Sequence, residues 1–133
     1  MIYTTICLKL NHGDTVAQGN TSNSYKQLSE REVWLTYQIM DIAINIHKAL
    51  GPGLLESIYE KCFCYNEEII DDGLIVDLIV DDLIIIELKA QENYHPVWEA
   101  QLLSYMKLTQ KRLGYILNFH VPLMKDGIKR MIL

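Results

Sequence analysis

The sequence is poor in cysteine and in positive charge, and it has no long uninterrupted apolar run. Its three cysteines, Cys7, Cys62 and Cys64, include a C-x-C pair that is poorly spaced for a zinc site, so reduced thiols in a cytoplasmic protein are expected. The net charge of −5 excludes a nucleic-acid-binding protein whose surface is positively charged throughout. It is compatible with a local basic patch or with a bound metal ion that supplies positive charge. We expect neither a membrane span nor a secretory signal peptide.

The remaining composition suits one compact domain. A chain of 133 residues with 50% hydrophobic composition can bury a single core, and two domains are not expected. Residues 11–28 are polar and rich in Asn, Ser, Thr and Gly, which is typical of a linker. We therefore assign residues 1–28 to an N-terminal extension, either poorly ordered or with one short strand in Ile2 to Leu10, and residues 29–133 to the folded domain.

Three helices and four strands are predicted after the extension. Ser29 and Glu32 form a capping box before a helical apolar repeat, and Gly51 ends that helix. The later elements are a helix from Leu54 to about Glu68, strands at 74–80 and 83–89, a helix whose first residue is Pro96, and strands from Leu113 to Val121 and from Ile128 to Leu133. This order predicts an α/β or α+β fold around one small sheet.

Three charged residues interrupt the apolar stretch GLIVDLIVDDLIIIELKAQ, which runs from Gly73 to Gln91. They are Asp77, Glu87 and Lys89. Both faces of these strands are apolar, so the strands are expected to be covered on each side. Burying an ionised group without a partner costs several kcal/mol, so such groups are normally paired, neutralised or bound to metal. A structural ion pair and a metal site both remain open.

The length of the turn decides whether the three charges meet. Glu87 and Lys89 are two residues apart on a strand and leave the same face. A two-residue turn at Asp81-Asp82 would pair Asp77 with Ile86 and send it to the opposite face, whereas a three-residue turn or a bulge would set it across from Glu87. In the second case the two carboxylates suit Mg²⁺ or Mn²⁺, and Lys89 can orient water and stabilise charge on a phosphate oxygen.

Other polar residues lie on the predicted helices, and basic residues cluster around the end of the third helix and near the last strand. Glu56 and Gln101 occupy positions that flank the core and can orient waters or ligands. Two basic groups are open either to contact with a phosphate backbone or to plain solvation: Lys107, Lys111 and Arg112 in the first, and Lys125, Lys129 and Arg130 in the second.

Three segments resemble the GxxExxY protein family, in the same order, over about residues 35–133. They are HKALGPGLLESIYEKC, which carries Gly53, Glu56 and Tyr59, then VDLIVDDLIIIELKA from Val76 to Ala90, and EAQLLSYMKLTQKRLGYILNFHVPLMKDGIKRMIL from Glu99 to Leu133. That family is similar to the PD-(D/E)XK nuclease superfamily, which includes restriction, repair and recombination nucleases. The resemblance implies a restriction-endonuclease-like fold, in which a mixed sheet is flanked by helices.

The resemblance also implies a site and an activity. Asp77 matches the metal-binding aspartate, Glu87 and Lys89 the ExK pair, Glu56 the acidic residue of the first helical region, and Gln101 the glutamine of the following helix. Asp77, Glu87 and Glu56 would then bind Mg²⁺ or Mn²⁺ in a nuclease that hydrolyses phosphodiester bonds, with DNA as the preferred substrate. The alternative is a catalytically inactive binding or scaffold protein of the same fold.

One segment departs from the family pattern. Glu67 to Gly73 joins the second helix to the next strand almost directly, where family members have about a hairpin more, so part of the sheet is predicted to be missing. An uncovered sheet edge leaves backbone groups unpaired. Two alternatives could pair with this edge. One is the N-terminal segment Ile2 to Leu10, and the other, slightly favoured, is the same edge of a second molecule in a homodimer.

Overall fold

The computed structural model describes residues 27–63 and 76–133, and the backbone of residues 4–6. In chain order, the elements are strand β1 (Thr4–Ile6), helices α1 (Glu30–Leu50) and α2 (Glu56–Phe63), strands β2 (Leu78–Val80) and β3 (Ile84–Lys89), helix α3 (Val97–Leu108), strand β4 (Leu113–Asn118), a short 3₁₀ helix (Met124–Gly127) and strand β5 (Ile128–Ile132). The predicted α+β fold is confirmed. Most of the predicted linker and the shortened segment from Glu67 to Gly73 lie outside the described residues.

Helix α1 begins with the predicted capping box. The Ser29 hydroxyl accepts a hydrogen bond from the Glu32 N–H at 3.2 Å, and the Glu32 carboxylate accepts one from the Ser29 N–H at 2.7 Å. Leu35 and Ile39, one turn apart, are buried on the core face of the helix. Gly51 ends it with a φ of 70°. Within the described residues, no helix combines the length and apolar composition needed to cross a membrane.

The sheet is mixed and follows the order β1-β2-β3-β4-β5. The pairs β1–β2 and β3–β4 are parallel, and the pairs β2–β3 and β4–β5 are antiparallel. Helices α1 and α2 cover one face, where Tyr59 and Phe63 meet Ile84, Ile86 and Leu88. Helix α3 covers the other face, on which Ile85 packs. Strand β3 is therefore buried on both sides, as its apolar sequence predicts.

The free edge of β2 is paired with the N-terminal segment. Thr4, Thr5 and Ile6 align with Leu78–Val80 in a parallel ladder. The structure thus shows the first of the two predicted covers, and it does not support the homodimer through this edge, because β1 lies where a second molecule would have to pair. The sequence signal for this pairing is weak, because it joins only three residues of segments that lie far apart in the chain.

Candidate metal centre

The turn between β2 and β3 has three residues. Val80 pairs with Ile84, so residues 81–83 form the turn, and it closes with a hydrogen bond to the Val80 carbonyl oxygen at 3.0 Å. Asp81 and Asp82 both have a φ of 53°, a left-handed conformation that aspartate tolerates better than most residues. The two-residue alternative is wrong, and the turn has the length that the metal-site hypothesis requires.

This register brings Asp77, Glu87 and Lys89 together at the end of β3. Because Leu78 pairs with Ile86, the next residues outward, Asp77 and Glu87, lie opposite each other. The Asp77 carboxylate accepts a hydrogen bond from the backbone N–H of the residue after Glu87 at 2.8 Å, which fixes it beside β3. The Lys89 ammonium lies 3.4 Å from Glu87 Oε2. The structure therefore gathers the three charged residues of the hairpin at one place.

The Glu87 carboxylate is the most deeply buried charge of the site. Its side chain is 2% exposed, and its Oε1 atom has no hydrogen-bond partner among the described residues. Burial, and after it the neighbouring Asp77 carboxylate, raise the pKa of Glu87 to about 8, although the charge of Lys89 lowers it. A buried acceptor without a donor costs about 1–3 kcal/mol. The free oxygen, next to a second carboxylate, fits a site made for a cation.

Lys89 is held in its charged form. Burial lowers the pKa of Lys89, but the carboxylates of Glu87, Asp77 and Glu56 outweigh it, and the pKa lies above the ordinary value of 10.5. The side chain is 11% exposed, so the ammonium group is directed at its acidic neighbours more than at solvent. The Lys89 ammonium group pairs with Oε2 of Glu87 only. This ion pair therefore leaves Oε1 of Glu87 without a partner among the described residues.

The loop before α2 sets the position of Glu56. Gly53 has a φ of 94°, in the region that favours glycine, and it lets the chain turn into the helix. The Tyr59 hydroxyl donates to the carbonyl oxygen of Gly51 at 2.6 Å, and its ring stacks on Phe119 with the centroids 4.3 Å apart. The spacing G-x-x-E-x-x-Y thus combines a turn, an acid that faces the site, and a tyrosine that fastens the turn to the core.

Glu60 joins the site although the sequence analysis did not assign it there. One carboxylate oxygen from each of Glu56, Glu60 and Asp77 lies within 4.8 Å of the others. Burial raises the pKa of Glu56, with smaller increases from Asp77 and Glu60, although Lys89 lowers it. A signal for Glu60 was present, because residues four apart on a helix share a face.

Gln101 is placed on α3 and remains a predicted site residue. Its side-chain amide donates to the Tyr105 hydroxyl at 2.9 Å, one turn further along the helix. Within the described residues, no hydrogen bond joins Gln101 to Asp77, Glu87 or Lys89. The structure therefore shows an ordered glutamine on the helix that covers β3, and the role implied by the resemblance stays a prediction.

Three of the six basic residues considered for phosphate contact form ion pairs. The pairs are Lys111 with Asp82 at 2.8 Å, Lys129 with Glu99 at 3.0 Å, and Arg112 with Glu32. Such pairs favour a structural role for these three side chains. The other three, Lys107, Lys125 and Arg130, are exposed and accessible to an anionic partner.

The comparison with known families shows the superfamily of the chain. A model of the PD-(D/E)XK nuclease superfamily matches residues 34–66 and 63–131. The chain belongs to the PD-(D/E)XK nuclease superfamily. Every charged residue of the site lies inside the match, so the predicted PD-(D/E)XK fold and superfamily are confirmed, whereas the narrower GxxExxY assignment stays a prediction. No curated protein and no solved structure matches the chain.

Removing the hydroxyl of Tyr59 tests how this PD-(D/E)XK domain positions Glu56. Tyr59→Phe keeps the stacked ring but loses the bond to Gly51 and a second one, at 3.2 Å, from the Leu54 N–H. These bonds hold Leu54 in the loop, which explains why α2 begins at Glu56 and not at Leu54 as predicted. We expect a loss of about 1–2 kcal/mol in the free energy of unfolding, measured in urea.

Tyr37→Phe is the matched control for this variant. Tyr37 lies on α1 with 70% of its surface exposed, so loss of its hydroxyl should leave the unfolding curve unchanged. Wild-type stability in Tyr59→Phe, together with unaltered metal affinity, would show that the tyrosine does not fasten the loop.

Proposed function

We propose that the protein is a metal-dependent nuclease that hydrolyses phosphodiester bonds in DNA with Mg²⁺ or Mn²⁺. The observation that carries the proposal is the meeting of Asp77, Glu87 and Lys89 at the end of β3, with Oε1 of Glu87 buried and unpartnered. A buried ion pair alone leaves that oxygen unsatisfied, whereas a cation between the carboxylates satisfies it. Membership of the nuclease superfamily supports phosphodiester hydrolysis as the reaction.

Asp77, Glu87 and Glu56 are the residues that would hold the ion. Their carboxylate oxygens are hard ligands of the kind that Mg²⁺ and Mn²⁺ prefer, and one lysine does not balance the acidic side chains around it. So acidic a site repels an anionic phosphate, so the proposed activity requires a bound cation. When bound, the ion supplies Lewis-acid polarisation of the phosphate and lowers the pKa of a coordinated water.

Lys89 and Glu87 have separate roles in the proposed reaction. The raised pKa of Lys89 keeps it an ammonium group at neutral pH, so it does not act as a general base. We assign it to a non-bridging oxygen of the scissile phosphate, where it opposes the charge that develops as water attacks phosphorus and the bond to the leaving oxygen breaks. Glu87 holds the lysine in place through Oε2.

DNA is proposed as the substrate because of the superfamily resemblance, and the exposed side chains of Lys107, Lys125 and Arg130 are the available contacts for its backbone. The cytoplasm is proposed as the location. Cys62 is a free, exposed thiol, which suits a reducing compartment.

Cleavage assays with metal titrations test the function. Supercoiled, linear, branched and single-stranded DNA, with RNA beside them, are incubated with wild-type protein in Mg²⁺, Mn²⁺ or chelator. We expect cleavage of at least one substrate with metal and none in chelator, while Asp77→Asn loses metal binding and cleavage together. Metal binding without cleavage of any substrate would favour the inactive scaffold. Absence of metal binding in calorimetry would exclude the proposed chemistry.

A further inference from the structure

A cavity of about 330 Å³ lies at the carboxyl ends of the parallel strands β3 and β4. Glu92 and Tyr94 line it from the loop after β3, Val121 from the loop after β4, and Lys129 from β5. Its volume falls within the usual range of ligand sites, which is about 300–1,000 Å³. Where a helix joins two parallel strands, as α3 joins β3 to β4, ligands commonly bind outside the carboxyl ends of those strands. This position is therefore suited to part of the substrate.

The cavity lies on the same face of the sheet as Lys89. Ile85 of β3 packs against the residues of α3, and Lys89, four residues further along the strand, leaves the same face. Asn118 is aligned with Lys89 on β4 and lines the cavity. A hydrogen bond of 2.8 Å from the Phe119 N–H to the Lys89 carbonyl oxygen fixes this alignment. Neighbouring strands are about 4.8 Å apart, so the cavity begins one strand away from the residue assigned to the scissile phosphate.

Tyr94 gives the cavity an aromatic wall whose orientation is fixed although the residue is 46% exposed. Its ring meets Trp98 in a T-shaped contact with the centroids 5.1 Å apart, and its hydroxyl donates to Glu99 Oε1 at 2.6 Å. The Lys129 ammonium group lies 5.8 Å from the ring centroid. An exposed ring that is already held in one orientation loses little conformational entropy when a flat ligand stacks on it. Tyr94 is thus a preorganised stacking surface.

The charges of the lining suit a base and not a phosphate group. Glu92 and Asp126 place exposed carboxylates at the cavity, and the Lys129 ammonium group is paired with Glu99 at 3.0 Å. Carboxylates repel a phosphate. They accept hydrogen bonds and donate none, and the exocyclic amino group of a base such as cytosine is a donor that fits them. A neutral, flat group with amino donors therefore matches both the aromatic wall and the acidic rim.

We propose that this cavity binds one unpaired base of the DNA strand that is cleaved, with Tyr94 as its stacking partner. The inference rests on the proposed function, since Lys89 and the metal ion place the phosphate of the same strand. A paired base is held inside the duplex and cannot enter a cavity, so the base must be single-stranded or extruded from the helix. The protein should therefore prefer DNA that has an unpaired nucleotide beside the cleaved bond.

Binding of three DNA duplexes that differ at one position tests the inference. The first carries a single unpaired cytosine, the second an abasic nucleotide at the same place, and the third is fully paired. Fluorescence anisotropy after rapid mixing in Mg²⁺ reports binding before cleavage. Wild-type protein should bind the unpaired cytosine roughly 10-fold more tightly than the abasic nucleotide, because only the cytosine can stack.

Variants of Tyr94 assign this preference to the cavity. Tyr94→Leu should bind the two unpaired duplexes equally, whereas Tyr94→Phe keeps the ring and should keep most of the preference. Tyr37→Leu is the matched control, because Tyr37 is an exposed tyrosine on α1, and it should bind all three duplexes as wild type does.

The outcomes separate this inference from the proposed function. Wild type that binds cytosine and the abasic nucleotide equally, or Tyr94→Leu that still prefers cytosine, overturns the base cavity, and metal-dependent cleavage would then leave the proposed nuclease standing. A preference for cytosine without metal-dependent cleavage of any DNA supports the cavity and overturns the catalysis. Wild type that binds none of the three duplexes overturns both. Circular dichroism verifies folding, and if Tyr94→Leu does not fold, the comparison of cytosine with the abasic nucleotide in wild type and Tyr94→Phe decides.

Discussion

Replacement of Lys89 by alanine is expected to lower the rate of cleavage by about 10²–10³-fold. The fold and most of the metal binding should persist. The Lys89 ammonium lies 3.4 Å from Glu87 Oε2 and stays protonated because the carboxylates around it raise its pKa. A positive charge at the point where charge develops on phosphate stabilises the transition state more than the bound substrate, so its loss appears in the rate and not in the affinity for metal. Single-turnover cleavage at saturating metal measures it.

Lys48→Ala provides the matched control. Lys48 is exposed in the last turn of α1, and its removal should leave the single-turnover rate unchanged. Metal titrations on both variants establish that the ion is bound. Cleavage by Lys89→Ala at the wild-type rate would mean that the activity comes from another site or from a contaminant.

The hairpin shows how far the sequence alone could lead. The sequence predicts the apolar strands and their three charged residues, but it does not predict the length of the turn, because Asp81-Asp82 suits turns of either length. In the structure, Asp81 pairs with Arg31 of α1 at 2.6 Å and Asp82 with Lys111 at 2.8 Å. Contacts between distant parts of the chain therefore accompany the left-handed conformation of both aspartates and the register of Asp77.

The same division between local and distant contacts holds elsewhere. The capping box of Ser29 and Glu32 depends on residues three apart and was predicted, whereas the ion pair of Glu32 with Arg112 spans 80 residues and was not. Pro96 precedes α3 as its N-cap and is not its first residue, a difference of one position at a helix end. The shared helix face of Glu56 and Glu60 is a local pattern, but their approach to Asp77 depends on how α2 packs against the hairpin, and that packing joins distant parts of the chain.

The second large effect is expected in the dependence of stability on pH. Without metal, the free energy of unfolding should fall as the pH rises from about 4.5 to about 8. Glu87 has a pKa of about 8 in the folded chain and 4.5 as its ordinary value, so the folded state binds the extra proton in this range. Stability from this group is complete below 4.5 and is lost as the pH passes 8, with a slope on the order of 1 kcal/mol per pH unit.

Three neighbouring carboxyl groups also make the free energy of unfolding fall as the pH rises. The carboxyl group of Glu32 has the opposite effect, but at lower pH. Burial raises the pKa of Asp77, of Glu56 and of Glu60 as well. The hydrogen bond with Arg112 lowers the pKa of Glu32 to about 2, so its contribution is present above 4.5 and is lost only as the pH falls towards 2. Urea unfolding in chelator at pH 5 and pH 8 therefore stays above the range in which Glu32 loses its contribution.

Glu87→Gln should flatten this dependence and, at pH 8 in chelator, should be more stable than wild type, because it carries no charge to bury. Glu30→Gln, exposed on α1, should keep the wild-type slope. Wild-type stability that is level or rises over this range, or an equal slope in Glu87→Gln, would contradict the raised pKa of Glu87.

Metal binding should displace the proton that Glu87 carries in the folded chain, and this release can be measured. A cation displaces the proton of Glu87, so affinity for Mg²⁺ should increase with pH up to about 8 and then level off, with the release of a proton at neutral pH. Calorimetry in buffers of different ionisation enthalpy measures that release. Saturating Mg²⁺ should also restore at pH 8 the stability that wild type loses in chelator, since an ion bound only to the folded state stabilises it. In Glu87→Gln the proton release should be smaller, whereas a full release in that variant would assign the proton to another carboxylate of the site.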